Sequence, residues 1–468
     1  MKIVPIQFDG DEPLYIQLYN HIKEQIINGT LQNEQKLPSI RKLAIELSIN
    51  SATVVNAYKQ LEKFNYIVSK KGSGFYVQFE TSDNTNIILN QSETLEYDFS
   101  SALPNPSIFP TDSFKNCINS VIERDKGFAF SSQETNGYIP LRKSICEYLS
   151  DYHQINTTYQ NIQMVSGAQQ GIDIIIKSCL HSGDYVITEN PTYQGATQAF
   201  ISRSVQIVTA SITKNGIDLV ELEKKVKVCR PKLIYIMTNF QNPTTICYDL
   251  DTKLQLLKLS EQYNFLIVED DSMSELSYNR PFSQSLKSID NNERVIYIKS
   301  FSKLLMSGLR IGFIIMPTNL IDKFTISKQS SDISSMGLIH RALDIFIREG
   351  AWFEHLNYIK AIYQGKYEVM LYELEKLERD FGISFFEPEG GLCFWIKLPD
   401  NITDTGFTSL CKGNGVAVLP SNLFYYRSCE EQNKFIRLSF AYNTIDEIKQ
   451  GFDIIYQILM VLKNNNKY

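Results

Sequence analysis

Ser300-Phe301-Ser302-Lys303, with Gly308 and Arg310 shortly after, brings one amine, two hydroxyls and one guanidinium into a short stretch. A lysine amine can add to an aldehyde, hydroxyls can donate to a phosphate, and arginine can grip a phosphate with two parallel hydrogen bonds. Those are the groups needed to hold a phosphorylated aldehyde. The bland alternative is a solvated surface lysine, one of 46 basic residues in the chain. Val295-Ile-Tyr-Ile298 just before it reads as a buried strand. The lysine therefore stands at a strand's carboxyl end, and other strand ends must decide its role.

Four other stretches occupy such positions. Val165-Ser-Gly-Ala-Gln-Gln170 joins a strand to a helix, where small residues expose backbone N–H groups and the helix start favours an anion; an ordinary turn would look the same. Glu189-Asn-Pro-Thr-Tyr193 sets an aromatic ring at a sheet edge, or simply in a core. Asn239-Phe-Gln-Asn-Pro-Thr244 offers a side-chain amide at Asn242 that can donate to a phenolate oxygen, or it is only a turn. Val268-Glu-Asp-Asp271 places a carboxylate where it could pair with a protonated pyridine nitrogen, although solvated loop acids are commoner.

From Tyr97 onward short apolar runs alternate with longer helical patterns. This predicts an α/β layer with a mostly parallel sheet and a ligand site at the strand carboxyl ends. Residues 336–380 are mainly helical. Residues 383–398 and 416–442 look mixed, with strands at Cys393–Lys397 and Phe435–Phe440, as in a smaller α+β lobe.

The first part of the chain differs. Leu14, Leu18, Ile22 and Ile26 stripe one helix that stops at Asn28-Gly29. Ser39 caps a short helix over 40–47, Ser48-Ile49-Asn50 turns, and a further helix runs from Ser51 to about Phe64 with Val54, Ala57, Tyr58 and Leu61 inward. This is helix-turn-helix spacing. Tyr66 to Val77 reads as two strands around Lys70-Lys71-Gly72-Ser73-Gly74, a basic tip able to lie along phosphates. From Tyr15 to Val77 there are eight Lys/Arg and four Asp/Glu, a net of +4; with −6 over the whole chain, the remainder carries −10. A basic head on an acidic body suggests that only the head meets a polyanion.

At 43% apolar and 21% charged, the 468 residues suit soluble globular domains. The expected organisation is a head at 12–78, a turn-rich linker at 79–96 and a body at 97–468. Eight scattered cysteines without a C-x-x-C pair predict reduced thiols, with neither disulfides nor a metal site. No apolar signal region begins the chain, and no apolar run approaches the roughly 18 residues of a membrane span. A cytoplasmic protein is expected.

Pro13-Leu14-Tyr15, Leu37-Pro38-Ser39-Ile40-Arg41, Leu43-Ala44, Thr53-Val54, Ala57-Tyr58, Leu61-Glu62 and Gly72-Ser73-Gly74 resemble, in order, the winged helix-turn-helix of GntR-type transcription factors. That resemblance implies that Ser39, Arg41, Ser51, Thr53 and Gly74 contact double-stranded DNA; Ala52 stands where such heads are often basic. The body's strand-end elements, in their order, resemble fold-type I aminotransferases that use pyridoxal 5′-phosphate, above all the aminoadipate and aromatic branch. Carried over, Lys303 would be the Schiff-base lysine, Asp270 the partner of the pyridine nitrogen and Asn242 that of the ring oxygen. Tyr193 would stack on the ring, Ala168, Gln169, Ser300, Ser302 and Arg310 would hold the phosphate, and Arg437 would clamp an effector's carboxylate. Three positions depart from the pattern. Ser272 and Met273 stand where a tyrosine usually donates to the ring oxygen, Thr245 replaces a glycine, and Ser307 replaces a proline.

Head and body together resemble the MocR-type regulators. The resemblance implies a transcription regulator that senses pyridoxal phosphate, with or without a small amino compound, as a head-to-tail homodimer. Gly195 replaces the arginine of the γ-aminobutyrate responder, which disfavours that effector. The alternative is a working aminotransferase with a fused head.

Overall fold

The computed structural model describes residues 13–27, 31, 35–47, 49–63, 66–70, 73–77, 95–131, 134–278, 284–427 and 432–465. The expected helix stop at Asn28-Gly29, the turn residue Ser48, the wing residues Lys71-Gly72, and linker residues 79–94 lie outside them, as do the outer head positions Glu12 and Gln78. The chain forms two compact units, Met1–Thr94 and Leu95–Tyr468.

The first unit holds α1 (Leu14–Ile27), α2 (Ile40–Glu46), α3 (Ser51–Lys63) and the antiparallel pair β1 (Ile67–Lys70) and β2 (Gly74–Val77). Leu18, Ile22 and Ile26 of α1 and Val54, Ala57, Tyr58 and Leu61 of α3 close into one core with Leu43 and Val77. Leu14, the first residue of its helix, is 43% exposed and drops out of the expected stripe. Ser39 Oγ accepts from the Lys42 N–H at 3.4 Å and starts α2 as its cap. Lys36 bridges to Tyr76, laying a third extended segment beside the pair β1 and β2.

The second unit opens with the short strand β3 (Tyr97–Asp98), which pairs with Val416–Ala417, and is built on an eight-stranded sheet. Its strands are β4 (Ile162–Val165), β5 (Tyr185–Asn190), β6 (Gln206–Thr213), β7 (Gly216–Ile217), β8 (Leu233–Ile236), β9 (Leu266–Asp270), β10 (Val295–Ser300) and β11 (Gly312–Ile315), in the order β4-β11-β10-β9-β8-β5-β6-β7. The run β10-β9-β8-β5-β6 is parallel, while β11 lies antiparallel between β10 and β4. The unexpected strands β6 and β7 form the far edge, where the half-polar Gln206–Thr213 suits an outer position. β10 is buried along its whole length because helices and loops cover both faces. Ile296 and Ile298 pack with the helix Ala168–Cys179, while Tyr297 turns to the opposite face, the period of two that a strand imposes. Lys299 is the charged exception inside β10, and Glu275 neutralises it at 2.8 Å.

The smaller lobe is a four-stranded antiparallel sheet of Ser384–Phe385, Cys393–Lys397, Phe435–Ser439 and Leu419–Pro420. The 31-residue helix Ala351–Phe381 precedes it. No helix of the described residues is long and apolar enough to cross a membrane.

Candidate cofactor site

The carboxyl ends of β4, β8, β9 and β10 surround one cavity of about 180 Å³. Parallel strands deliver their following loops to the same edge, so groups far apart in sequence converge there. Ala168, Gln169, Tyr193, Asn242, Asp270, Ser300, Ser302, Lys303 and Arg310 all line it. Among the expected body residues, Arg437 alone is not in the wall.

Lys303 ends the short turn Phe301–Lys303 after β10. Burial pushes its amine down to about 8, helped by the Arg437 guanidinium and opposed by Cys393 and Asp270. Such an amine loses its proton far more readily near neutral pH than an ordinary lysine, and the free form is able to attack a carbonyl. Asp270 is fixed from both sides, since Tyr235 Oη donates to Oδ2 at 2.7 Å and Ser272 Oγ donates to Oδ1 at 2.7 Å. Burial raises its carboxyl, and the two hydroxyls oppose that rise.

At the opposite wall the helix Ala168–Cys179 begins after Gly167, whose φ is +82°. A Cβ on Gly167 would stand 2.9 Å from Arg310 Nη2, which itself donates to the Ser166 carbonyl at 2.9 Å. The guanidinium thus lies against the helix start. Ser300 Oγ donates to Ser302 Oγ at 3.1 Å beside it. The Gln169 amide donates to the Gly195 carbonyl at 2.9 Å and accepts from Tyr193 Oη at 3.3 Å, so this side chain holds the tyrosine in place. Gly195 is crowded: a Cβ there would stand 2.5 Å from Tyr193 Oη and closer still to Gln169 Oε1.

Arg437 stands behind Asn242, 6% exposed. Its Nη1 donates to Asn242 Oδ1 at 2.9 Å and its Nη2 to the Ser100 carbonyl at 2.6 Å, with the guanidinium 5.2 Å from the Phe424 ring centre. Sequence reasoning missed Tyr235, Ser100 and Asn239 as neighbours of the site. The hydroxyl of Tyr235 inside an otherwise apolar strand was the available signal for one of them. Thr245, where the pattern has glycine, has φ +63°, a left-handed conformation that a β-branched residue adopts only when its surroundings hold it there.

An amine, an acid in the same cavity, an arginine at a helix start and a buried amide donor without a partner among the described residues, Asn239 Nδ2, fit a phosphorylated pyridine aldehyde. Among the described residues no cluster of His, Cys, Asp and Glu could hold a metal ion.

In the head, Ser39, Arg41, Ser51 and Gly74 are exposed and Thr53 is half-buried. Ser51 and Thr53 stand in the first turn of α3, and Arg41 in the first turn of α2. Lys70 and Lys36 lie 4.8 and 5.6 Å from the Tyr76 ring centre, which makes the wing cationic.

The chain matches two families, Bacterial regulatory proteins, gntR family, over residues 14–77 and Aminotransferase class I and II over residues 107–455. It is 31% identical to Aromatic-amino-acid aminotransferase 1 of Thermococcus litoralis, across 75% of this chain and 84% of that one. It is 23% identical to the probable rhizopine catabolism regulatory protein MocR of Rhizobium meliloti, across 98% and 96%. Among solved structures it resembles the alpha-aminoadipate aminotransferase LysN of Thermus thermophilus, complexed with N-(5′-phosphopyridoxyl)-L-leucine. The TM-score is 0.73 at 28% identity, covering 80% of this chain and 96% of that one. A body of aminotransferase type, a GntR head before it, and likeness to a MocR protein along nearly the whole length agree: the chain belongs to the class I and II aminotransferase family as one of its MocR-type members, transcription regulators with GntR-type heads.

Proposed function

We propose that this regulator binds operator DNA through Ser39, Arg41, Ser51, Thr53 and the wing at Gly74, and holds pyridoxal 5′-phosphate in its body as the sensed molecule. The observation that carries the reading is the convergence of Lys303, Asp270 and the Arg310-backed helix start on one cavity. Lys303 would supply the amine that holds the cofactor. Asp270, with both oxygens already oriented, keeps a proton on the pyridine nitrogen. Tyr193, steadied by Gln169, stacks on the ring, while Ser300, Ser302, Arg310 and the N–H groups of Ala168 and Gln169 hold the phosphate. When bound, the cofactor supplies an electrophilic carbon that reacts with amines.

Arg437 anchors the carboxylate of a small amino compound, exchanging its bond to the Ser100 carbonyl for the ligand. Gly195 supplies no second cation beside Tyr193, which argues against γ-aminobutyrate. The protein works as a head-to-tail homodimer that presents two heads to paired half-sites. Ligand control requires different affinities of two conformers for the amino compound.

Footprinting on DNA upstream of the protein's own gene, with and without pyridoxal phosphate, tests the regulator reading. A visible absorbance band on adding cofactor, lost in Lys303→Ala, tests the attachment; a wild-type protein without that band overturns it. The second reading, a working aminotransferase, is favoured by the amine, acid and arginine that remain. Steady amino-group transfer to 2-oxoglutarate would select it.

A further inference from the structure

We propose that Asn239 is a cofactor ligand, its side-chain amide donating to the ring oxygen of pyridoxal phosphate beside Asn242. The inference rests on the cofactor reading above. Asn239 lies three residues beyond β8, is 2% exposed, and lines the cavity with Lys303, Asp270 and Asn242. Its Nδ2 is buried and has no hydrogen-bond partner among the described residues. Buried amide donors are almost always satisfied, so the missing partner belongs to what the cavity takes in.

The direction of the amide follows from its other end. Lys253 Nζ stands 3.5 Å from Asn239 Oδ1. An ammonium only donates, so the oxygen faces Lys253 and the NH₂ group is turned away from it. Lys253 is itself 2% exposed and donates to the Gln284 carbonyl at 2.6 Å, which opposes a flip.

The ring oxygen is the acceptor left over. The phosphate is served by Ser300, Ser302, Arg310 and the helix start, and the pyridine nitrogen faces an acceptor, Asp270. Arg437 holds Oδ1 of Asn242, which leaves that amide's NH₂ as donor on the same loop as Asn239. Ser272 spends its hydroxyl on Asp270, and Met273 carries no donor. Asn239 thus supplies the second donor that neither of those two residues provides. Two amide donors favour the ring oxygen in its deprotonated form.

The test uses the full chain, titrated with pyridoxal phosphate and followed by visible absorbance and fluorescence quenching. Asn239→Ala should weaken cofactor affinity about tenfold, the effect of one lost hydrogen bond to a charged group, and move the pH midpoint of the bound cofactor's absorbance upward. Asn239→Asp should weaken it further, because a carboxylate would face the oxygen. Lys253→Met, which frees the amide to turn, should shift both readouts in the same direction by less. Wild-type affinity with an unchanged midpoint in all three variants overturns the proposal. Failure of the wild-type protein to bind the cofactor at all overturns instead the reading it rests on.

Discussion

Arg437 Nη1 donates to Asn242 Oδ1 at 2.9 Å, tying the smaller lobe to the loop after β8. The guanidinium has only donors, so it fixes the amide with its oxygen toward Arg437 and its NH₂ turned away. A change at Arg437 therefore reaches Asn242 as well as any carboxylate that Arg437 binds.

Arg437→Lys should lose the response to amino compounds, because one ammonium cannot make the paired contacts of the fork. It should also weaken cofactor binding several-fold by loosening Asn242. Titrating the bound cofactor's absorbance with amino acids separates the two effects; a normal response in Arg437→Lys would dismiss the carboxylate role.

Lys303 must lose its proton before it attacks an aldehyde. Its amine is pushed down to about 8, mainly by burial. Attachment of added pyridoxal phosphate should therefore speed up about tenfold per pH unit below that value and level off above it. Stopped-flow absorbance across pH checks this, and a rate that keeps climbing toward the ordinary lysine range would contradict the shift.

Gly195→Ala should displace the Gln169–Tyr193 pair, since the new methyl would fall within 2.5 Å of both side chains. Both are side-chain ends that can move, so the stability cost should be only about 1 kcal/mol. Cofactor affinity should fall more steeply, because Tyr193 leaves its stacking position. Thermal melting without cofactor, set against a cofactor titration, reads the two.

Burial pushes the Glu189 carboxyl up to about 8, against hydrogen bonds from Tyr248, Gln241 and the Met237 N–H. Glu269 moves the same way, to about 7. The unfolded chain releases these protons in the ordinary carboxylate range, so from about pH 5 to pH 8 the folded state binds more protons. Stability should fall as pH rises through that window. Glu189→Gln should flatten part of the fall in urea midpoints, and an unchanged slope would place Glu189's proton elsewhere.

Arg41→Ala should weaken operator binding and reduce the salt slope by about one if it meets a phosphate, or relax the preferred sequence at one base pair if it meets a base edge. Gel shifts at several salt concentrations, with wild-type and substituted operators, distinguish the two. Unchanged binding would remove Arg41 from the contact set.

The sequence alone determined the division into a basic winged head and an α/β body, because helical and strand periodicities are local and each unit's core follows from them. It also placed Lys303, Asp270 and Asn242 at strand ends, where a parallel sheet gathers its loops. The edge strands β6 and β7 escaped notice because an edge strand need not be apolar. Only the tertiary structure decided who touches whom. Arg437 meets Asn242 and the Ser100 carbonyl across 195 and 337 residues of chain. The lone donor of Asn239, the crowding at Gly195 and the left-handed Thr245 are likewise set by neighbours, and no spacing along the chain encodes them. Patterning specifies which face of an element is buried, while the partner of each buried polar group is settled only when those faces close on one another.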